Sequence, residues 1–168
     1  MNLTSANEHV PEIDRRIRVV KERGICVIHS LPFNRIPRLL LIHIVFFSVK
    51  MLNYLPTKGG VSNVYTPNTT MSGETLHYNR YLVLNIGQYR QFYEEDTPGN
   101  IQAARTKSTI CLGPSENNQR GFKFISIQPA KKITIRIWDA ISMPDTVIAR
   151  VNELAKGEAE HFIFTYKK

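Results

Sequence analysis

The segment from Pro11 to Arg23 begins with two acidic residues, Glu12 and Asp14. Five basic residues follow within little more than two helical turns: Arg15, Arg16, Arg18, Lys21 and Arg23. Enzymes that transfer phosphoryl groups use carboxylates to hold two Mg²⁺ ions, which clamp the attacking and leaving oxygens. A carboxylate in a first helical turn, beside cations that face phosphates, suits that chemistry. The competing interpretation is a solvated charged helix, because acids in a first turn complement the helix dipole.

The overall charge makes a polyanion a candidate partner. The formal net charge is +8 and the isoelectric point is near 9.7. Each phosphate that a basic side chain neutralises releases counterions and adds affinity. Lys131, Lys132 and Arg136 extend the set of candidate phosphate contacts towards the C-terminal half. A soluble basic protein without such a partner is the alternative interpretation.

Other chemistries find little support in the sequence. Cys26 and Cys111 are far apart and fit neither a zinc site nor a disulfide framework, which predicts two free thiols, one on a helix and one in a strand. There is no Gly-rich phosphate loop and no nucleophile elbow. The apolar run 39–49 is shorter than the roughly 20 residues that a bilayer requires, so we expect a buried helix and no membrane partner. His43, within that run, is more typical of a core residue than of a metal ligand.

Hydrophobic periodicity predicts two N-terminal helices. Ile13, Ile17 and Val20 recur at helical spacing and give residues 11–30 one apolar face. A second helix, at 37–54, is apolar on nearly every side and must be covered by other elements. Residues 55–74 are rich in Pro, Gly, Ser, Thr and Asn, which predicts a long connection.

The second half of the chain has β-type patterns. Four runs predict strands at 81–94, 108–113, 121–128 and 132–139, and the last two should form an antiparallel hairpin around the turn at 129–132. A short helix is predicted at 143–157, with Gly157 as its stop, and residues 161–168 look like the beginning of another strand. Helices followed by a small sheet and a final helix predict the α+β class.

Several short motifs follow one another along the chain in an order that is typical of one protein family. They include Asp14 to Arg18 within IDRRIRVVKER, Leu52 to Lys58, and the T-P segment from Thr66 to Gly73. This order resembles the integrase of copia-type LTR retrotransposons, from the helix with the third acid of the D,D-E triad to the end of the catalytic core. The second half of the chain resembles the small barrel of Src-homology-3 type that follows that core. The matching segments are ICLG, GFKFISIQ, and KKI at the start of the strand that returns after the hairpin turn. The resemblance is collinear from about residue 9 to residue 166.

The resemblance implies a parent enzyme that uses Mg²⁺ to process 3′ ends of cDNA and join them to host DNA, in the nucleus or in a cytoplasmic particle. The family usually has Glu where this chain has Asp14, so either Asp14 or Glu12 is the candidate catalytic and metal-ligating acid. The basic residues that follow would contact phosphates. The first two aspartates of the triad belong to a sheet that would precede residue 1. We therefore expect no metal cofactor and no cleavage by this chain, and at most non-specific nucleic-acid binding.

Together with these patterns, the resemblance implies three parts: two helices of a ribonuclease H-like core at 9–58, a linker at 59–78, and a small β-barrel-like domain at 79–168. Residues 81–139 are expected to form a sheet that is independent of the helices. Since the sheet of the core is expected to be missing, the apolar helix should remain partly exposed and promote self-association or aggregation. Specifically, four apolar residues of this helix should not all be buried: Leu41, Ile44, Val45 and Phe47. The alternatives are a non-enzymatic nucleic-acid-binding module and a genomic remnant without function.

Overall fold

The computed structural model describes residues 11–56, 62–93, 105–115 and 121–160. Their elements, in chain order, are α1 (Pro11–Ser30), α2 (Arg38–Tyr54), α3 (Pro67–Ser72), α4 (Tyr78–Tyr81), β1 (Tyr89–Tyr93), β2 (Thr106–Pro114), β3 (Phe122–Ser126), β4 (Lys132–Ile135) and α5 (Asp145–Glu160). The four strands form one antiparallel sheet. The predicted α+β class is therefore confirmed.

The two predicted N-terminal helices are confirmed. Pro32 follows α1 and Pro37 immediately precedes α2. Proline lacks the N–H that a helix interior needs, but it fits before the first turn, and the carbonyl of Pro37 accepts from the N–H of Leu41 at 2.9 Å. Within the described part of the chain, no helix combines the length and the hydropathy needed to cross a bilayer.

The predicted connection at 55–74 contains one short helix, α3, and α4 begins at Tyr78, the last residue of the predicted linker. In α3, the hydroxyl of Thr66 accepts from the N–H of Thr69 at 3.1 Å, and Gly73 ends the helix with φ of 72°. A threonine cap, a following proline and a terminal glycine are the ordinary signals of a helix. The strand predicted at 81–94 was too long, because Tyr81 belongs to α4 and β1 begins at Tyr89.

The sheet is a meander in the order β1–β2–β3–β4. Phe124 of β3 stands opposite Ile133 of β4, which confirms the predicted hairpin, although β4 ends at Ile135 rather than at residue 139. A register shift between Cys111 and Gly113 bends β2. Beyond β4, Asp139 exchanges two backbone hydrogen bonds with Gln91 of β1, at 2.8 and 3.3 Å. The chain after the last strand thus returns to the first one.

Two hydrophobic clusters lie on opposite faces of the sheet. One face packs against α2 and α5, and this cluster includes Leu40, Ile44, Ile110, Ile125 and Val151. The other cluster is aromatic-rich and comprises Leu84, Phe92, Cys111, Phe122, Phe124 and Ile135, with Trp138 packed against it. Neighbouring residues of β2 contribute to different clusters because side chains alternate across a strand. The sheet therefore shares a core with α2, whereas the three-part division of the chain remains a prediction about folding units.

Helix α2 is only partly covered. Ile44 is 0% exposed, but Leu41 and Val45 are 42% and 48% exposed, and Phe47 is half-buried. The prediction that these four residues are not all buried is confirmed. Leu41 and Val45 line an apolar groove of about 580 Å³ between α1 and α2, and Ile44, which belongs to the core shared with the sheet, lies at its floor.

The last helix runs from Asp145 to Glu160, so Gly157 lies inside it and the predicted stop was wrong. No other atom lies within 4 Å of the place where a Cβ would stand at Gly157, and an exposed helical glycine costs only about 1 kcal/mol. Contacts with the start of α2 help to position this helix. The Glu158 carboxylate accepts from the backbone N–H of Arg38 at 2.5 Å. The strand predicted at 161–168 lies outside the described residues.

The two cysteines are expected to differ sharply in reactivity. Cys26 is exposed on α1, whereas Cys111 is buried in β2 and its burial raises the pKa of the thiol to about 12. Only the thiolate reacts with disulfide reagents, so at pH 8 one thiol per chain should react in the folded protein and two after denaturation. Colorimetric thiol titration measures both numbers. Rapid reaction of both cysteines in the folded protein would contradict the buried position of Cys111.

Candidate nucleic-acid interface

Helix α1 packs on α2 through one face and presents its charges on the others. Gly24 is buried at the contact, where a Cβ would meet the Ser48 hydroxyl at 3.9 Å and a methyl of Ile44 at 4.0 Å. Successive helical residues are rotated by about 100°, which places Arg15 and Arg18 on the side away from Gly24. All five predicted basic residues of α1 are exposed: Arg15, Arg16, Arg18, Lys21 and Arg23. They surround the solvent side of the helix rather than forming one stripe.

Two of these basic residues stand at the edge of the apolar groove. Arg16 and Lys21 line it together with Ile17, Val20 and Val45. Long basic side chains cover apolar surface with their methylene stems while the charged groups stay in water. The groove therefore has an apolar floor and a cationic edge.

The two candidate metal ligands do not form a joint site. Glu12 and Asp14 are both exposed in the first turn of α1. Two residues apart on a helix, they differ by about 200° in direction, so their carboxylates face different sides. Among the residues that the structure describes, no group of three or more His, Cys, Asp or Glu side chains is placed to hold a metal ion. Because two-metal chemistry needs several carboxylates together, these residues alone do not fit a Mg²⁺ pair.

A second basic group lies where α2 meets the β3–β4 hairpin. His43 of α2 is half-buried, and burial, followed by the charges of Lys123, Lys132 and Lys50, lowers its pKa. Lys132 stands opposite Ile125 in the sheet, on the same face as Lys123, because alternate residues share a face. The resulting cluster of Lys50, Lys123 and Lys132 is called here the hairpin cluster. The charges of all three lysines act on His43; Lys132 is exposed, whereas Lys50 and Lys123 are half-buried.

The sequence predicted one member of the hairpin cluster and missed two. Lys132 was among the candidate phosphate contacts, whereas Lys50 and Lys123 were not. Side chains alternate along a strand, so Lys123 is expected on the other face of the sheet from Phe122 and Phe124. Nothing in the local pattern indicates that α2 brings Lys50 and His43 to the face with Lys123. The remaining candidates, Lys131 and Arg136, are both exposed, and Arg136 lines a separate cavity beside Trp138.

The lowered pKa of His43 predicts an acid-dependent loss of stability. The unfolded chain has the usual His pKa of 6.5, so below that pH it binds more protons at this position than the folded chain does. The free energy of unfolding should therefore fall as the pH is lowered from about 6.5 through the lower pKa of His43 in the folded chain. His43→Gln should make this decrease smaller. Urea unfolding at several pH values measures it, and equal pH dependence in the two proteins would contradict the prediction.

Comparison of the chain with protein-family models, with curated proteins and with solved structures finds no match. The integrase resemblance therefore depends on the order of short motifs within this sequence. The geometry adds an exposed basic surface on α1 and a second, partly buried group of lysines at the hairpin cluster.

Proposed function

We propose that this chain is a nucleic-acid-binding segment of a copia-type retrotransposon integrase. In this proposal α1 and α2 belong to the C-terminal part of a ribonuclease H-like core, and the sheet with α5 is the small barrel that follows it. The parent enzyme would use Mg²⁺ to process and transfer DNA ends. The segment itself would bind DNA without sequence preference.

The observation that carries the proposal is the exposure of the basic residues on α1. Arg15, Arg18 and Lys21 follow one another at three-residue spacing, so their side chains are neighbours on the helix surface. Such side chains neutralise phosphates independently of one another and need no assembled active site. The hairpin cluster adds a second positive surface, which allows contact with a polyanion at more than one place.

Two further features support the integrase assignment. The apolar groove between α1 and α2 leaves Ile17, Leu41 and Val45 exposed, as expected of helices that another part of a larger core would cover. The backbone bridge between Gln91 and Asp139 joins the region after the last strand to the first strand. A sheet that returns on itself in this way is consistent with a small barrel.

Catalysis by the chain alone is not part of the proposal. Asp14 or Glu12 would supply one acid to the parent site, and the described residues offer no companion ligands. We therefore derive no catalytic step, and we assign to this chain only the contacts with phosphates.

The carboxylates are expected to be dispensable for binding. Asp14→Asn and Glu12→Gln should leave the affinity for duplex DNA unchanged or slightly higher, because each removes a negative charge near phosphates. The unaltered chain should not nick supercoiled plasmid in the presence of Mg²⁺. Binding is measured by fluorescence anisotropy and nicking by gel electrophoresis. Mg²⁺-dependent nicking that Asp14→Asn abolishes would overturn the proposal and indicate an active enzyme.

A non-enzymatic nucleic-acid-binding module is the second candidate. The hairpin cluster favours it, because Lys50, Lys123 and Lys132 supply positive charge outside α1, the helix that carries the candidate catalytic acids. Replacing these three lysines by glutamine distinguishes the candidates. The module interpretation predicts a larger loss of DNA affinity from this change than from the loss of Arg15, Arg18 and Lys21, and the integrase interpretation predicts the reverse.

A further inference from the structure

The apolar groove between α1 and α2 continues towards α3. Arg16 and Val20 line the groove and also line a neighbouring hollow of about 440 Å³, which reaches α3 through Pro67 and Met71. On α1 the lining extends from Arg16 to Ile28, a rise of roughly 18 Å at about 1.5 Å per residue. The groove and the hollow therefore form one long depression, called here the extended groove.

The lining of the extended groove is mainly aliphatic and is open to solvent. Ile17, Ile25 and Val45 line it, and about half of each residue is exposed. Burial of such surface by a ligand contributes roughly 25 cal/mol per Å². Aliphatic side chains offer no ring on which a nucleic-acid base could stack. This part of the surface therefore fits an apolar face of a protein better than a nucleic acid.

The walls of the extended groove favour a helical ligand. Among the described residues that line it, none belongs to a strand, so a peptide there has no sheet edge to pair with. An extended peptide would place its N–H and C=O groups against aliphatic side chains, which costs free energy for each group without a partner. A helix bonds its own backbone and presents apolar side chains at i, i+3, i+4 and i+7. The length of the α1 wall corresponds to about 12 residues of such a helix.

The charge at the edge of the extended groove favours an acidic ligand. Arg16 and Lys21 are exposed there, and among the described residues that line the groove none is acidic. Carboxylates that flank the apolar face of a ligand would therefore meet positive charge. A second copy of this chain is a poor match, because each copy has a net charge of +8 and mutual docking through this groove would bring the same two cations of both copies together.

We propose that the extended groove binds an amphipathic helix of a partner protein, with its apolar side chains on the aliphatic lining and acidic side chains beside Arg16 and Lys21. This is the helix-in-groove mode of recognition, in which burial supplies affinity and charge supplies orientation. The inference goes beyond the proposed function. Of the proposed phosphate contacts, Arg15 and Arg18 do not line the groove, so DNA binding does not require that it be occupied.

A designed helical peptide is the probe for the full chain. It has about 16 residues, with leucine at i, i+3, i+4 and i+7 spacing, glutamate beside the leucines and a fluorescent label. A second peptide has lysine in place of each glutamate, and a third has the composition of the first in an order without an apolar face. Fluorescence anisotropy should show saturable binding of the first peptide only. Absence of that binding, or equal binding of either control peptide, would overturn the inference, because the lysine peptide tests the charge and the reordered peptide tests the apolar face.

A matched pair of variants on α2 locates the peptide. Val45→Gln changes an exposed apolar residue that lines the groove, and Ile42→Gln changes one of similar exposure that does not. Val45→Gln should weaken binding of the acidic peptide on the order of tenfold, because one aliphatic side chain is no longer buried against it. Ile42→Gln should leave the affinity unchanged. Equal effects of the two substitutions would place the peptide elsewhere and overturn the inference.

A second pair of variants tests the charge at the edge. Arg16→Gln combined with Lys21→Gln should weaken binding of the acidic peptide about threefold at low salt, as expected for two exposed ion pairs. Arg150→Gln combined with Lys156→Gln removes the same charge from exposed positions of α5 and should have no such effect. Equal weakening by both double variants would mean that the peptide responds to net charge alone, which contradicts a docked helix.

The outcomes separate this inference from the proposed function. Salt-dependent DNA binding without selective binding of the acidic peptide would overturn only the inference. Selective peptide binding without any DNA binding would overturn only the proposed function. Self-association in analytical ultracentrifugation that Val45→Gln abolishes would assign the groove to a second copy of the chain and overturn the inference as well.

Discussion

Replacement of Ile44 by alanine is expected to lower the free energy of unfolding by about 2–5 kcal/mol. Ile44 is fully buried in the cluster that joins α2 to β2, β3 and α5. The change removes three methylene-sized groups from that cluster, and the surrounding elements close the resulting cavity only in part. Urea unfolding followed by circular dichroism gives the difference in free energy.

Ile42→Ala provides the matched control on the same helix. Ile42 is 42% exposed, so its truncation loses little buried surface and should change stability by less than about 1 kcal/mol. The contrast between two isoleucines two residues apart depends on which face of α2 contacts the sheet. Equal losses from both substitutions would contradict the described docking of α2.

Replacement of Arg15, Arg18 and Lys21 together by alanine is expected to weaken binding to every DNA sequence alike, on the order of tenfold at moderate salt. Each of these side chains that contacts a phosphate releases counterions on binding. The triple variant should therefore also show a salt dependence that is flatter by up to about three counterions. Fluorescence anisotropy at several salt concentrations measures both effects.

A double variant on α5 controls for the loss of net charge. Arg150 and Lys156 are exposed bases outside both proposed basic surfaces. Their replacement by alanine lowers the net charge by two but should leave the slope of the salt dependence almost unchanged. A similar slope in the triple and double variants would mean that binding follows overall charge and does not use α1 as a surface.

The sequence predicted the elements whose patterns are long or strongly periodic. Helices at 11–30 and 37–54 and the hairpin of β3 and β4 all follow from apolar spacing and proline positions. The short helix α3 also had a readable signal in Thr66, Pro67 and Gly73, but the surrounding polar composition obscured it. The helix end predicted at Gly157 was wrong. Residues on either side of Gly157 contact the rest of the fold, and these contacts stabilise the helix by more than the glycine destabilises it.

The surfaces differ in how far they could be predicted, because one consists of residues of a single helix and the others combine residues that are distant in the sequence. Arg15, Arg18 and Lys21 belong to one helix, so their proximity follows from helical spacing alone. Lys50, Lys123 and Lys132 come together only because α2 packs on the face of the sheet that carries Ile125. The cavity at Tyr81 and Trp138 likewise depends on how α4 lies against the sheet, which no local pattern specifies.

The salt dependence of DNA binding by the full chain tests the central claim most directly. Affinity is measured without Mg²⁺ for two duplexes of unrelated sequence over a series of salt concentrations. We predict that the logarithm of the association constant falls linearly with the logarithm of the salt concentration, with the same slope for both duplexes, because the contacts are made to phosphates. Affinity that does not change with salt, or binding confined to one of the two sequences, would contradict a phosphate-binding function.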